Sequence, residues 1–345
     1  MPVARNAPPP SEAPPGQRAV TMETVGRLAG VSQVTVSRAL NDPKKVSPET
    51  LRKIQEAIAV TGYVPNALAG ALASRRSKLV AALVPSLTNV VYSSMIKSLS
   101  DTMRDGHYQI MLSETGTDPA QEEELIATHL SRRPDAIVLT GIHHTANARR
   151  MLLGAGIPVV ELWDITDSPI DLCVGFSHSE TGRAAARYAL DRGYDAAAAI
   201  SAGDERALRR MSGFADLWTE RTGQSVPSEV FAPSSTLADG RTGLARLVDT
   251  HGLRRGVIHC SSDVLAHGVL TEAAARGLRV PEDIAVIGFG DQDMAAHTYP
   301  ALTTVRVDRS ELGLQAAKAI LARFEGKDIP PVTDLSFSII ARDSA

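Results

Sequence analysis

Apolar residues change their rhythm along this 345-residue chain. From Val20 they recur at helical spacing. Val25, Leu28 and Ala29 stand at offsets 0, 3 and 4 and predict one face of a short helix. Thr21 is placed to cap it, Glu23 sits in the first turn where the helix dipole favours an acid, and Gly30 ends it. Val36, Ala39 and Leu40 repeat the spacing behind a second cap, Ser32. Ser47-Pro48-Glu49 opens a third helix with a cap, a proline at the first helical position and an acid. Leu51, Ile54 and Ile58 line that helix, and Gly62 closes it. Two short helices joined by a tight glycine turn predict a helix-turn-helix, here within residues 19–64.

From Leu79 the rhythm becomes that of buried strands: continuous apolar runs bounded by Gly or Pro, at 79–84, 108–112, 136–140, 158–161, 172–176, 196–201, 256–261 and 284–289. Helical stretches such as 89–105, 119–132 and 180–192 lie between them. The expected fold class is therefore α/β. An all-α headpiece precedes a core, 79–345, of doubly wound parallel sheets, too long for one sheet and hence two subdomains.

Charge sharpens this division. The chain's formal net charge is −3, yet residues 18–78 hold ten Lys/Arg against four Asp/Glu, so the acidic excess belongs to the core. A basic head on an acidic body points to a polyanion as partner of the head. Residues 1–17 contain six of the twenty prolines, and residues 1–18 are expected to form a disordered arm. Cys173 and Cys260 are the only cysteines, which suits a reducing cytosol, and the N-terminus has no apolar signal core. No run of about 18 apolar residues exists, so a membrane partner is not expected.

Catalytic patterns are missing. His143 and His144 are adjacent, and neighbours on a strand point to opposite faces. GxSxG and GxxxxGK[ST] are absent, and Gly288-Phe289-Gly290 is only a pair of strand-end glycines. No catalytic residue, metal or cofactor is expected, and the chain reads as a binding protein. The second helix carries the candidate chemistry. Ser32, Gln33, Thr35, Ser37 and Arg38 combine small donors with a long cation; Gln pairs with adenine, Arg with guanine, and Val34 can meet a thymine methyl.

The runs AGVS (29–32), TVSRALN (35–41), VSPET (46–50) and GYVPN (62–66) resemble the DNA-binding headpiece of the lactose/galactose-repressor (LacI/GalR) family. The resemblance implies a major-groove helix beginning near Ser32, with Gln33 and Val34 as the main specificity positions and Arg38 on guanine or phosphate. Thr21, Thr35, Ser37, Asn41, Tyr63 and Asn66 complete the candidate contacts there. Thr24-Val25-Gly26 departs from the family's Asp-Val-Ala, and Gly26 is expected to soften the first helix by about 1 kcal/mol relative to alanine. Residues 65–78 match the hinge helix and linker. There the resemblance makes Leu72 a minor-groove wedge and Ala69 the close-packed position. It implies a regulator, most simply a repressor, that binds a pseudo-palindromic operator as a homodimer or tetramer. A soluble sugar-binding protein without gene control remains the alternative.

The core resembles the family's periplasmic-binding-protein-like module. Its lobes are expected at 79–175 with 302–328 and at 176–301 with 329–345, with 302–313 as the return crossover. Ligands on such sheets bind beyond the strands' carboxyl ends. Those ends offer Ser86, Thr88, Asn89, Tyr92, Glu114, Thr140, Glu161, Trp163, Phe176, Arg210, Ser262, Asp263 and Asp291 as effector contacts. Ser86, Thr88, Asn89 and Asp263 serve equally as helix caps, Trp163 equally as core, and Asp204-Glu205-Arg206 equally as a solvated loop. Arg210, three residues before Gly213-Phe214, matches the family's effector-contacting arginine. ALVPSLTN, VVELWD, VGF and GDERALRRMSGF are most similar to the gluconate-repressor branch. That branch implies gluconate, ketogluconate or a phosphorylated sugar acid, for which the adjacent cations Arg209 and Arg210 are suited.

Overall fold

The computed structural model describes residues 20–65 and 76–345. The arm expected at 1–18 and the hinge positions Asn66, Ala69 and Leu72 lie outside the described residues. The chain divides into two compact units, Met1–Arg75 and Arg76–Ala345.

The first unit contains α1 (Met22–Ala29), α2 (Gln33–Asn41) and α3 (Pro48–Thr61), with a 3-10 turn at Pro43–Lys45. Each start is written locally. The hydroxyls of Thr21, Ser32 and Ser47 accept from the amides of Thr24, Thr35 and Thr50. Gly30 (φ 70°) and Gly62 (φ 64°) end α1 and α3 in the left-handed region. Val25, Val36, Ala39, Ile54, Ala57 and Tyr63 form the core. Leu28, expected inside, is 55% exposed. Gly26 takes the inward place instead. A Cβ there would stand 2.7 Å from the Val31 carbonyl, and the Val31 amide donates to the Gly26 carbonyl at 2.9 Å. The residue expected to weaken α1 is what lets α1 meet the turn into α2.

The second unit contains two six-stranded sheets. The first is built from β1 (Leu79–Val84), β2 (Gln109–Glu114), β3 (Ala136–Thr140), β4 (Val159–Leu162), β5 (Leu172–Gly175) and a late strand, β11 (Val332–Asp334). Its order is β11-β5-β4-β3-β1-β2, all parallel. The second holds β6 (Ala197–Ala202), β7 (Ser228–Phe231), β8 (Gly256–Cys260), β9 (Ile284–Phe289), β10 (Thr303–Val307) and β12 (Phe337–Ile340). Its order is β12-β10-β9-β8-β6-β7, with only β12 antiparallel. The helices between strands are α4 (Val90–Asp105), α5 (Pro119–Ser131), α6 (Ala146–Ala155), α7 (His178–Asp191), α8 (Glu205–Thr222), α9 (Leu237–Asp249), α10 (Asp263–Arg276) and α11 (Arg309–Phe324). Val80, Ala82 and Val84 alternate with Ala81 and Leu83 to opposite faces of the first sheet, and both faces are buried.

The chain passes between the lobes three times, and the crossing points differ from those expected. β10 pairs with β9, so 303–307 belongs to the second lobe and the return begins only at α11, which packs on α4. β11 pairs with β5, so 332–334 belongs to the first lobe. Hydrogen bonding to a neighbouring strand decides membership, and a crossover motif read along one chain does not record it.

Candidate functional site

The α2 helix of the first unit presents an exposed polar surface. Val36 and Ala39 turn inward, which leaves Gln33, Val34 and Arg38 exposed, Val34 to 66%. Thr35 is half-buried, its hydroxyl 3.0 Å from that of Ser32. Asn41 Nδ2 donates to the Ser37 carbonyl at 2.9 Å, holding the last turn of the helix. Val34, the Gln33 amide and the Arg38 guanidinium together offer the apolar, bidentate and cationic groups that a base-reading surface uses. Tyr63 is 8% exposed, its ring packed in the headpiece core.

In the second unit, loops at the carboxyl ends of both sheets enclose a cleft of about 500 Å³. Ser86, Thr88, Asn89 and Tyr92 line it from the first lobe, together with Trp163 beyond β4. Arg206, Arg210, Ser234, Ser235, Ser261 and Ser262 line it from the second. Asn89 caps α4, so both expected roles, cap and wall, fall on it, whereas α10 is capped by Ser262 and not by Asp263, its first residue.

Arg210 is the most constrained of these groups. Its Nη1 donates to His178 Nδ1 at 2.8 Å, its Nε to the Ser261 carbonyl at 3.2 Å, and its guanidinium lies 4.1 Å from the Phe289 ring centroid. His178 Nε2 in turn donates to the Trp163 carbonyl at 2.7 Å. Burial and the neighbouring Arg210 push His178 well below its ordinary range, so the ring is neutral and accepts from the arginine. Burial also pulls Arg210 down to about 10, which leaves it a cation at neutral pH. The arginine can take this position because α7 and α8 touch at glycines. A Cβ on Gly182 would lie 1.9 Å from the Arg210 carbonyl, and one on Gly213 would lie 2.2 Å from that of Ser179.

Residues 21–66 match the model of bacterial regulatory proteins, lacI family, and residues 186–345 that of the periplasmic binding protein-like domain. The HTH-type transcriptional regulator GntR of Pseudomonas aeruginosa is 36% identical over 94% of this chain and 95% of its own length. The chain belongs to the lacI family of bacterial regulatory proteins. The GntR of Escherichia coli K12 is 32% identical over 92% of the chain and 96% of its length. The crystal structure of a LacI-family transcriptional regulator from Silicibacter pomeroyi superposes with a TM-score of 0.88 at 32% identity, covering 94% of this chain and 99% of that one. The lac repressor dimer bound to operator shares the fold, with a TM-score of 0.85 at 22% identity over 95% of this chain and 99% of that one. These relatives are transcriptional regulators rather than enzymes. The protein is accordingly a DNA-binding transcriptional regulator with an effector-binding core. Among the described residues no helix is long and apolar enough to cross a membrane.

Several expected effector contacts of this LacI-family regulator lie outside the cleft. Glu161 is fully buried on the far face of the first sheet, accepting from the Ile170 amide at 2.7 Å and facing His144 at 3.4 Å. Strand alternation explains it: Glu161 shares a face with Val159, which packs on the side of α5 and α6. Glu114 is exposed at the end of β2, its Oε1 3.4 Å from the Leu87 amide. The Thr140 hydroxyl donates to the Leu83 carbonyl at 3.0 Å, and Phe176 is buried edge-on beneath Trp163. Asp263 accepts from Thr304 Oγ1 at 2.6 Å and from the Gln292 amide at 2.7 Å, while Asp291 pairs with Arg306 and, at 2.7 Å, with Arg342. Each of these groups is engaged with protein instead of the cleft. Arg209 is likewise paired with Asp164, so the second cation facing the cleft is Arg206. Its spacing of four from Arg210 on a helix was the signal in the sequence. Ser234 and Ser235 follow β7, a strand the apolar pattern did not mark.

Proposed function

We propose that this regulator is a homodimeric repressor whose operator affinity is set by a small sugar acid held between the lobes. The single observation that carries the effector class is the pair Arg206 and Arg210, two guanidiniums one helical turn apart against a single carboxylate, Asp204, in a cleft lined by hydroxyls and amides between the aromatic walls Trp163 and Phe289. A carboxylate meets such forks through charge-assisted hydrogen bonds, and sugar hydroxyls meet Ser86, Thr88, Asn89, Ser261 and Ser262. Self-association is supported by the groove along α4, where Leu87, Tyr92, Ile96 and Leu112 are accessible. The two headpieces then read half-sites related by the dimer axis, with Gln33 and Val34 on base edges. Leu72, in the hinge, is the wedge. Closure of the lobes changes the separation of the two hinges and so couples effector to operator, and the coupling is reciprocal.

The test is a thermal-shift titration of the full chain with gluconate, ketogluconate, sugar phosphates and glucose. An acid is expected to raise the melting temperature through mass action, with glucose silent. An equal shift from glucose would overturn the acid reading. In a gel shift, Leu72→Ala is expected to weaken operator binding and remove the DNA kink; unchanged affinity would remove the wedge.

A further inference from the structure

Four long side chains leave the first two turns of α8, and three of them reach the other lobe. Glu205 meets His143 Nε2 at 2.8 Å. Arg206 Nη2 donates to the Tyr92 hydroxyl at 3.1 Å. Arg209 makes a two-pronged pair with Asp164, Nη1 donating to Oδ1 at 3.2 Å and Nη2 to Oδ2. The three contacts are unequal. His143 and Glu205 are both more than half exposed (60% and 55%), where water screens their attraction. The Asp164 side chain is only 2% exposed. It is also fixed to its own lobe: the Ile165 amide donates to Oδ1 at 2.9 Å, and Cys173 Sγ donates to its backbone carbonyl at 3.0 Å. A buried carboxylate parted from its cation bears the full cost of desolvation, so the lobes cannot separate at this point without admitting water to it.

We propose that Asp164 and Arg209 form an interlobe latch that sets how readily the lobes part, without touching the effector. Neither residue lines the cleft, yet their chain neighbours Trp163 and Arg210 both do. On each side of the gap, latch and ligand wall are therefore one residue apart on a single backbone. A ligand that draws Trp163 and Arg210 together seats the latch, and an open latch lowers the population competent to bind, which weakens apparent affinity by the same fraction. This inference rests on the cleft being the effector site. Arg209 is accordingly a positioning residue, and its effect on ligand runs through lobe geometry.

The experiment measures that geometry directly. Cys173 and Cys260 are buried, so spin labels attach selectively at Leu153→Cys in the first lobe and Arg255→Cys in the second, both exposed positions. Distances are read in the full chain without ligand, with labelled chains diluted by unlabelled ones so that intrachain pairs dominate. The parent is expected to give one narrow distribution, and Arg209→Gln a second population at longer distance. The double variant Asp164→Asn/Arg209→Gln is expected to open less than Arg209→Gln alone, because no carboxylate is left unpaired. An Arg209→Gln distribution superimposable on the parent's would overturn the latch. Should that variant fail to fold, Asp164→Asn gives the same reading: a longer-distance population supports the latch and an unchanged distribution removes it. Added gluconate is expected to restore the short distance. Silence towards gluconate would count against the sugar-acid reading alone, since the distances are measured without it.

Discussion

In the three-helix unit, Thr21, Ser32 and Ser47 each accept a hydrogen bond from an amide three residues on, whereas Arg210 in the two-lobed unit is held by His178 and Ser261, 32 and 51 positions away. The proposed DNA-reading surface follows from its own short segment: caps fix the helix start, and the inward residues decide which others face out. The cleft proposed for the effector follows from topology, because its walls come from loops after β1, β4, β6, β7 and β8. Substitutions in the first unit should therefore act mainly through helix stability, and those in the cleft through binding geometry.

The largest expected effect tests that division most severely. Arg210→Ala removes a buried cation from the cleft and should weaken effector binding by about 100-fold or more, with operator affinity unchanged in the absence of effector. Calorimetry on the one side and gel shifts on the other measure the two halves; equal losses in both would erase the distinction.

A pH scan comes next, because the described headpiece contains no histidine. In the core, burial opposes the charge on His144, but its hydrogen bond to Glu122 (2.8 Å) and the approach of Glu161 outweigh it and raise the group from 6.5 to about 9. A raised histidine contributes stability that is complete below pH 6.5 and is lost as pH climbs through 9. His259, depressed by burial to about 3, does the reverse and loses its contribution as pH falls below 6.5. Calorimetric melting should show the core transition declining on both sides while the headpiece transition stays level between pH 6.5 and 9.

Gly26→Ala should destabilise the headpiece by about 1–2 kcal/mol, despite alanine's better helix propensity, because overpacking against Val31 outweighs it. Denaturant melts of the headpiece would reverse this account if the variant were more stable. Ser47→Ala is the mildest case, costing about 1 kcal/mol through loss of the α3 cap. It should leave the core transition untouched.

The same contrast governs what could be read from residues alone. All three headpiece helices, with their caps and the glycines that end α1 and α3, were legible because every signal lies within a few positions of its effect. The strands at 79–84, 136–140 and 284–289 were legible to the residue, each being a continuous buried run. β7, β11 and β12 were not, since they are short and only partly buried, and β10, though largely buried, was read as part of the crossover at 302–313. In the cleft, Ser86, Thr88, Asn89, Tyr92, Trp163, Arg210 and Ser262 were found from their places at strand ends. Arg206 was passed over because Asp204-Glu205-Arg206 reads as polar loop, although Asp204 is the cap that starts α8. Glu161 and Asp263 were misplaced because strand-end position does not tell which face a side chain takes or which partner already occupies it.

The three passages of the chain between the lobes bear on how such regulators diversify. A single genetic exchange near Arg75 can graft one relative's operator preference onto another's sensor, because the headpiece is one continuous stretch. No single exchange can transplant either lobe, since each is stitched from separate stretches that return near the C-terminus. Sensors of this architecture must therefore acquire new effectors by substitution within the gap, or be inherited whole.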